Sequence, residues 1–94
     1  MAHFLYILYS EKVDKYYTGE SAMPSARVAL HNHHHFRNAF TNIADDWSLV
    51  LEFECLSREE ALYLERFIKR MKSKKFTKKV VEKPSILTDI LSKK

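Results

Sequence analysis

The stretch from His3 to Tyr9 limits the possible folds of this chain more than any other. Apolar groups fill both of its alternating sets, Phe4, Tyr6 and Leu8 on one side and Leu5, Ile7 and Tyr9 on the other. A strand with that pattern is buried on both faces and therefore sits in the middle of its sheet. At 94 residues the chain is expected to form one domain over 1–94, with no room for a second hydrophobic core. Its 46% hydrophobic and 13% aromatic content argues against disorder. These constraints predict a small sheet with helices around it.

The remaining elements follow from local signals. Ser10 to Asp14 is polar and turn-like, and Lys15 to Gly19 reads as a second strand, antiparallel because the connection is short. Gly19 is the chain's single glycine, so either the backbone turns sharply there or another group approaches closely. A helix is expected from Ser21 or Ala22, with Ser21 as cap, Pro24 in the first turn and Met23, Ala26 and Leu30 as its apolar stripe. His33 to Ile43 has no clear period and reads as a broken helix or ordered loop. Trp47 to Cys55 reads as a third strand, with Leu49, Leu51, Phe53 and Cys55 on one side. Ser57 to Glu60 is a capping box that opens a helix to about Lys72, with Ala61, Leu64, Ile68 and Met71 inward. Ser73 caps a further helix to about Glu82, and 85–92 forms a short terminal one. The fold class is α/β: a three-stranded antiparallel sheet flanked by helices, in the order β-β-α-β-α-α.

Helical geometry marks two charged residues. Successive residues advance about 100° around a helix. Arg27 then falls at the border of the Met23, Ala26, Leu30 stripe, with His31 one turn on along the same face. Glu65 likewise falls at the border of the stripe on the long helix. A border position lets a charged group be half buried yet reach a cleft. Each candidate also has an ordinary use. Glu65 and Lys69 form an i,i+4 pair in the favourable order, Arg27 can lay its stem over the core, and Tyr6 and Tyr17 are common strand aromatics.

Charge is unevenly placed. The net charge is +4, with four Lys/Arg against five Asp/Glu in 1–50 and twelve against seven in 51–94. Lys69, Arg70, Lys72, Lys74, Lys75, Lys78 and Lys79 form a block suited to a polyanion such as DNA or RNA, or to a solvated helix surface. The lone Cys55 excludes an internal disulfide and fits a reducing compartment. No uncharged run reaches the roughly 18 residues of a membrane span, and the N-terminus lacks a signal-peptide pattern, so the expected location is the cytoplasm. His31, His33, His34 and His35 invite a zinc reading, but no nearby cysteine or suitably spaced carboxylate completes a four-ligand set.

Phe4-Leu5-Tyr6 and Tyr17-Thr18-Gly19 place two tyrosines eleven residues apart, Arg27 follows ten residues later, and Glu65 lies far downstream. In this order and spacing the chain resembles a GIY-YIG endonuclease domain, in particular its small stand-alone members, over roughly residues 3 to 80. Phe4 replaces the glycine of the first motif, Thr18 holds the middle of the second, and the late asparagine of larger members has no counterpart. The resemblance implies a metal-dependent endonuclease hydrolysing DNA phosphodiester bonds, directed to branched or damaged structures and hence to DNA repair. It implies that Glu65 holds Mg²⁺ or Mn²⁺ and that Arg27 holds the phosphate. Tyr6 and Tyr17 would position the attacking water, one of them helping to remove its proton, with His31 as an auxiliary group. Family members typically carry a separate recognition module. None is visible here, so binding should rest on phosphate contacts or on a protein partner that supplies recognition. The alternative is a non-catalytic nucleic-acid- or protein-binding module on the same fold. The oligomeric state stays open.

Overall fold

A computed structural model describes residues 2–34 and 40–94. The central strand is β1 (His3–Ser10), flanked by β2 (Lys15–Ser21) and β3 (Ser48–Cys55) in an antiparallel sheet of order β2-β1-β3. Leu5, Tyr6, Ile7 and Leu8 are all buried, as expected of a strand covered on both sides.

The two faces carry different cores. Leu5, Ile7, Leu51 and Cys55 point to one face and are covered by Ala61, Leu64 and Ile68 of α2 (Arg58–Met71). Val80 of α3 (Lys74–Glu82) and Leu87 of α4 (Ser85–Ser92) complete that cluster. Burial pushes the Cys55 thiol pKa up, so it behaves as a small apolar group. Tyr6 and Leu8 point to the opposite face and pack with Ala44 and Trp47, with Val28 of α1 (Pro24–Asn32) partly buried against them. A 3₁₀ turn, Phe40–Ile43, lies between α1 and β3. Among the described residues no helix is long and apolar enough to cross a membrane.

Three local expectations need correction. The pairing of β1 with β3 shifts between Ile7 and Leu8, which face Leu51 and Leu49. The extra residue, Val50, flips the alternation, so Leu49 joins the Tyr6 face while Leu51 stays opposite. β2 continues to Ser21, and α1 starts at Pro24 with Met23 in the cap position. Ser21 does not cap the helix; its Oγ accepts from the Met23 N–H at 3.0 Å and closes the strand-to-helix turn. The inward face of α1 is Pro24, Val28 and His31, whereas Met23 is 64% exposed and Ala26 is exposed too.

The other helix signals hold, with one exception. The Ser57 hydroxyl accepts from the Glu60 N–H at 3.2 Å, and the Glu60 carboxylate accepts from the Leu56 N–H at 2.9 Å. Ser73 accepts from the Phe76 N–H at 3.0 Å and caps α3. Met71 is 47% exposed, contrary to its place in the apolar stripe. It is the last residue of α2, where Lys72 takes a left-handed conformation and the chain turns away.

Candidate active site

The site forms where edge strand β2 passes between α1 and α2. Cross-strand pairing sets Tyr6 opposite Gly19 and Leu8 opposite Tyr17, so Tyr6, Tyr17 and Gly19 share one face of the sheet. The Tyr6 phenol crosses directly over Gly19. A Cβ added at Gly19 would stand 2.6 Å from both Cζ and Oη of Tyr6. The glycine is therefore needed for close approach, since its backbone does not take a positive φ.

Arg27 and His31, one helical turn apart, bring α1 to the same place. His31 is buried, and its two ring nitrogens are both engaged, Nε2 with the Tyr6 hydroxyl at 3.1 Å and Nδ1 with the Thr41 hydroxyl at 2.6 Å. Burial, reinforced by the positive charge of Arg27, lowers the His31 pKa to about 4, so the ring is neutral near pH 7. Burial and the neighbouring Tyr17 raise the Tyr6 phenol well above its ordinary value; Arg27 opposes this, and Glu65 and Glu20 add to it. Thr41 is held in turn, because its carbonyl accepts from the Trp47 indole N–H at 2.7 Å. Asn32 exchanges hydrogen bonds with the backbone of Trp47 at 2.7 and 2.9 Å, tying the end of α1 to the start of β3. His31 is thus fixed from three segments.

Glu65 reaches the site from the helix on the other face. Its side chain is 18% exposed and accepts from Lys69 Nζ at 2.7 Å. The Lys69 ammonium also lies 5.3 Å from the centre of the Tyr17 ring. Tyr17 packs against His31 with ring centres 4.8 Å apart. Tyr6, Tyr17, Gly19, Glu20, Arg27, His31 and Glu65 together line one cleft of about 280 Å³. All five residues singled out as catalytic or metal-binding candidates therefore meet there, contributed by β1, β2, α1 and α2.

Other parts of the sequence reading fare differently. Lys69, Lys72 and Lys74 line a neighbouring groove of about 620 Å³, joined by Lys15 from β2. Arg70, Lys75, Lys78 and Lys79 are exposed but do not line it. Lys74 is paired with Asp14 of the β1–β2 turn. Among the described residues no three His, Cys, Asp or Glu side chains come together to hold a metal. His31 is committed to Tyr6 and Thr41, and His34 lies 2.9 Å from the Ala44 carbonyl, while His35 is outside the described residues.

Two residues escaped sequence reasoning. Glu20 adds a second carboxylate to the cleft, steadied by His3 and by Arg58 at 3.8 Å. Its signal was adjacency to Gly19. Thr41 sits in a stretch without periodicity and offered no signal.

The family model of the GIY-YIG catalytic domain matches residues 2–79. Comparison with curated proteins and with solved structures gave no match. The family match runs from the first strand into α3, and on that ground the chain belongs to the GIY-YIG family, whose members are generally endonucleases acting on nucleic acid.

Proposed function

We propose that the chain is a metal-dependent endonuclease hydrolysing DNA phosphodiester bonds, with branched or damaged DNA as its target. One observation carries the reading: side chains from four separate elements converge on a single cleft with the residue types that phosphoryl chemistry requires. Hydrolysis needs an oriented water, a cation for the phosphate and help for the leaving oxygen.

The donor set suits a hard divalent ion. Glu65 and Glu20 offer carboxylate oxygens at the cleft, the ligand type that a hard divalent ion takes alongside waters and a phosphate. When bound, Mg²⁺ or Mn²⁺ supplies Lewis acidity at the phosphate and lowers the pKa of a coordinated water. Arg27 holds the phosphate through its guanidinium fork. Tyr6 and Tyr17 orient the attacking water from the sheet side. With its proton on Nδ1, neutral His31 accepts the Tyr6 O–H at Nε2. This leaves a lone pair of the phenol oxygen free to accept a hydrogen bond from the attacking water and hold it in line with the phosphate. The rigid hold of Thr41 on His31 keeps the hydrogen bond between Tyr6 and His31 directed.

One contact favours the second reading, a non-catalytic nucleic-acid- or protein-binding module. The Lys69 ammonium already occupies a Glu65 oxygen at 2.7 Å and must give way before an ion can bind there. A panel of plasmid, flapped and branched DNA, incubated with Mg²⁺, Mn²⁺ or a chelator, separates the two. Cutting that requires the ion supports the nuclease. Salt-sensitive binding without cutting under any condition supports the module.

A further inference from the structure

The groove beside the cleft has a composition that phosphate binding alone does not call for. Tyr16, Tyr17 and Phe40 contribute aromatic surface, and Lys15, Lys69, Lys72 and Lys74 contribute charge. Phe40 is 49% exposed. Its ring lies nearly parallel to Tyr17, at 18° with centres 6.5 Å apart, and it lines the groove but not the cleft. Asp14 is the one acid in the lining among the described residues, and Lys74 and the Tyr9 hydroxyl already engage it. Lys15 and Lys72 make no ion pair among the described residues, so the groove presents net positive charge. Tyr17 and Lys69 connect the two sites: Tyr17 lines both, and Lys69 lines the groove while bonding Glu65 of the cleft.

We propose that this groove binds an unpaired nucleotide next to the phosphate held in the cleft, its base stacked on Phe40 and Tyr17 and its backbone on the lysines. The role next to a scissile phosphate rests on the nuclease reading; the binding itself does not. In a duplex the base faces are covered by their neighbours, and lysines alone would serve its phosphates. An exposed aromatic platform gains a partner only from a base that has left its stack. The substrate class is therefore nucleic acid with a single-stranded segment directly beside the cut, as at a flap or junction, rather than continuous duplex.

The test measures binding in a chelator, where no cleavage occurs. Fluorescence anisotropy would compare a dT strand, the same strand with abasic sites, and a blunt duplex of equal phosphate number. The wild-type chain should hold the dT strand more tightly than the duplex. Phe40→Ala should weaken dT binding about tenfold, within the range found for loss of one base–aromatic stack, and leave duplex binding and the salt slope unchanged. Phe40→Trp should restore dT binding, and the abasic strand should not distinguish Phe40→Ala from wild type. Equal wild-type affinity for strand and duplex, or a Phe40→Ala loss of equal size on both, overturns the proposal. If the dT preference appears but no DNA is cut with Mg²⁺ or Mn²⁺, the groove stands and the nuclease reading fails. If duplex and flap are cut alike and Phe40→Ala changes nothing, the nuclease stands and the groove fails.

Discussion

The two faces of the sheet are built on different principles. The face under α2, α3 and α4 buries Leu5, Ile7, Leu51, Ala61, Leu64, Ile68, Val80 and Leu87, and aliphatic packing dominates it. The face under α1 buries Tyr6, Trp47, His31 and Thr41, whose polar atoms are joined to one another by hydrogen bonds. Apolar burial is non-directional and tolerates repacking, whereas a buried polar network is directional and fails when one member is lost. The first face therefore supplies most of the stability. The second gives up some of that to hold Tyr6 and His31 at fixed positions in the cleft.

Mutations should separate the faces. The largest effect on stability is expected from Leu64→Ala, which should cost about 2–5 kcal/mol in denaturant unfolding. The fraction that stays folded should keep its cleavage rate, because Leu64 does not line the cleft. Gly19→Ala comes next and reverses the pattern. The added methyl would meet the Tyr6 ring at 2.6 Å, and a ring displaced on the order of 1 Å should lower cleavage about 100-fold. Its stability cost, about 1–3 kcal/mol, should be smaller than that of Leu64→Ala. If Gly19→Ala unfolds the chain more than Leu64→Ala does, the division of labour between the faces is wrong.

A third effect is pH-dependent and belongs to the polar face alone. His31 is depressed to about 4 in the folded chain against an ordinary 6.5. Between those values the unfolded chain binds the proton and the folded chain resists it. Stability is therefore full above about pH 6.5 and falls as pH drops toward 4, by on the order of 3 kcal/mol. His31→Gln should remove much of that slope in unfolding measured across pH 4 to 7. A slope that persists unchanged would place the acid sensitivity elsewhere. The smallest effect concerns the open rim. Lys15→Gln with Lys72→Gln should flatten the salt dependence of DNA binding by about one unit per lysine while leaving unfolding unaffected.

What the sequence revealed follows the same division. The central strand was legible because both alternating sets of His3–Tyr9 are apolar, and only a doubly covered strand satisfies that pattern. The core of α2 was legible from helical spacing, and the starts of α2 and α3 from their serine caps. The α1 face was misread because Met23, Ala26 and Leu30 have a regular spacing, while the buried face includes a histidine. Hydropathy counts His31 as polar; its burial depends on Tyr6 and Thr41, which lie 25 and 10 residues away. The β3 bulge was invisible for a related reason: Val50 is as apolar as its neighbours, and only the pairing with β1 shows that it is the extra residue. Tyr6, Tyr17, Arg27, His31 and Glu65 were named from motif spacing and family resemblance, and the fold brings them to one cleft. Glu20 and Thr41 needed the folded chain.

The most direct test of the central proposal compares wild type with Glu65→Ala on one flapped DNA, measuring cleavage with Mg²⁺ and binding without it. If Glu65 holds the ion while the basic groove holds the strand, cleavage should be abolished and binding should stay near the wild-type level. Cleavage that survives in Glu65→Ala, or binding that falls as far as cleavage, would contradict a cleft in which Glu65 is the metal ligand.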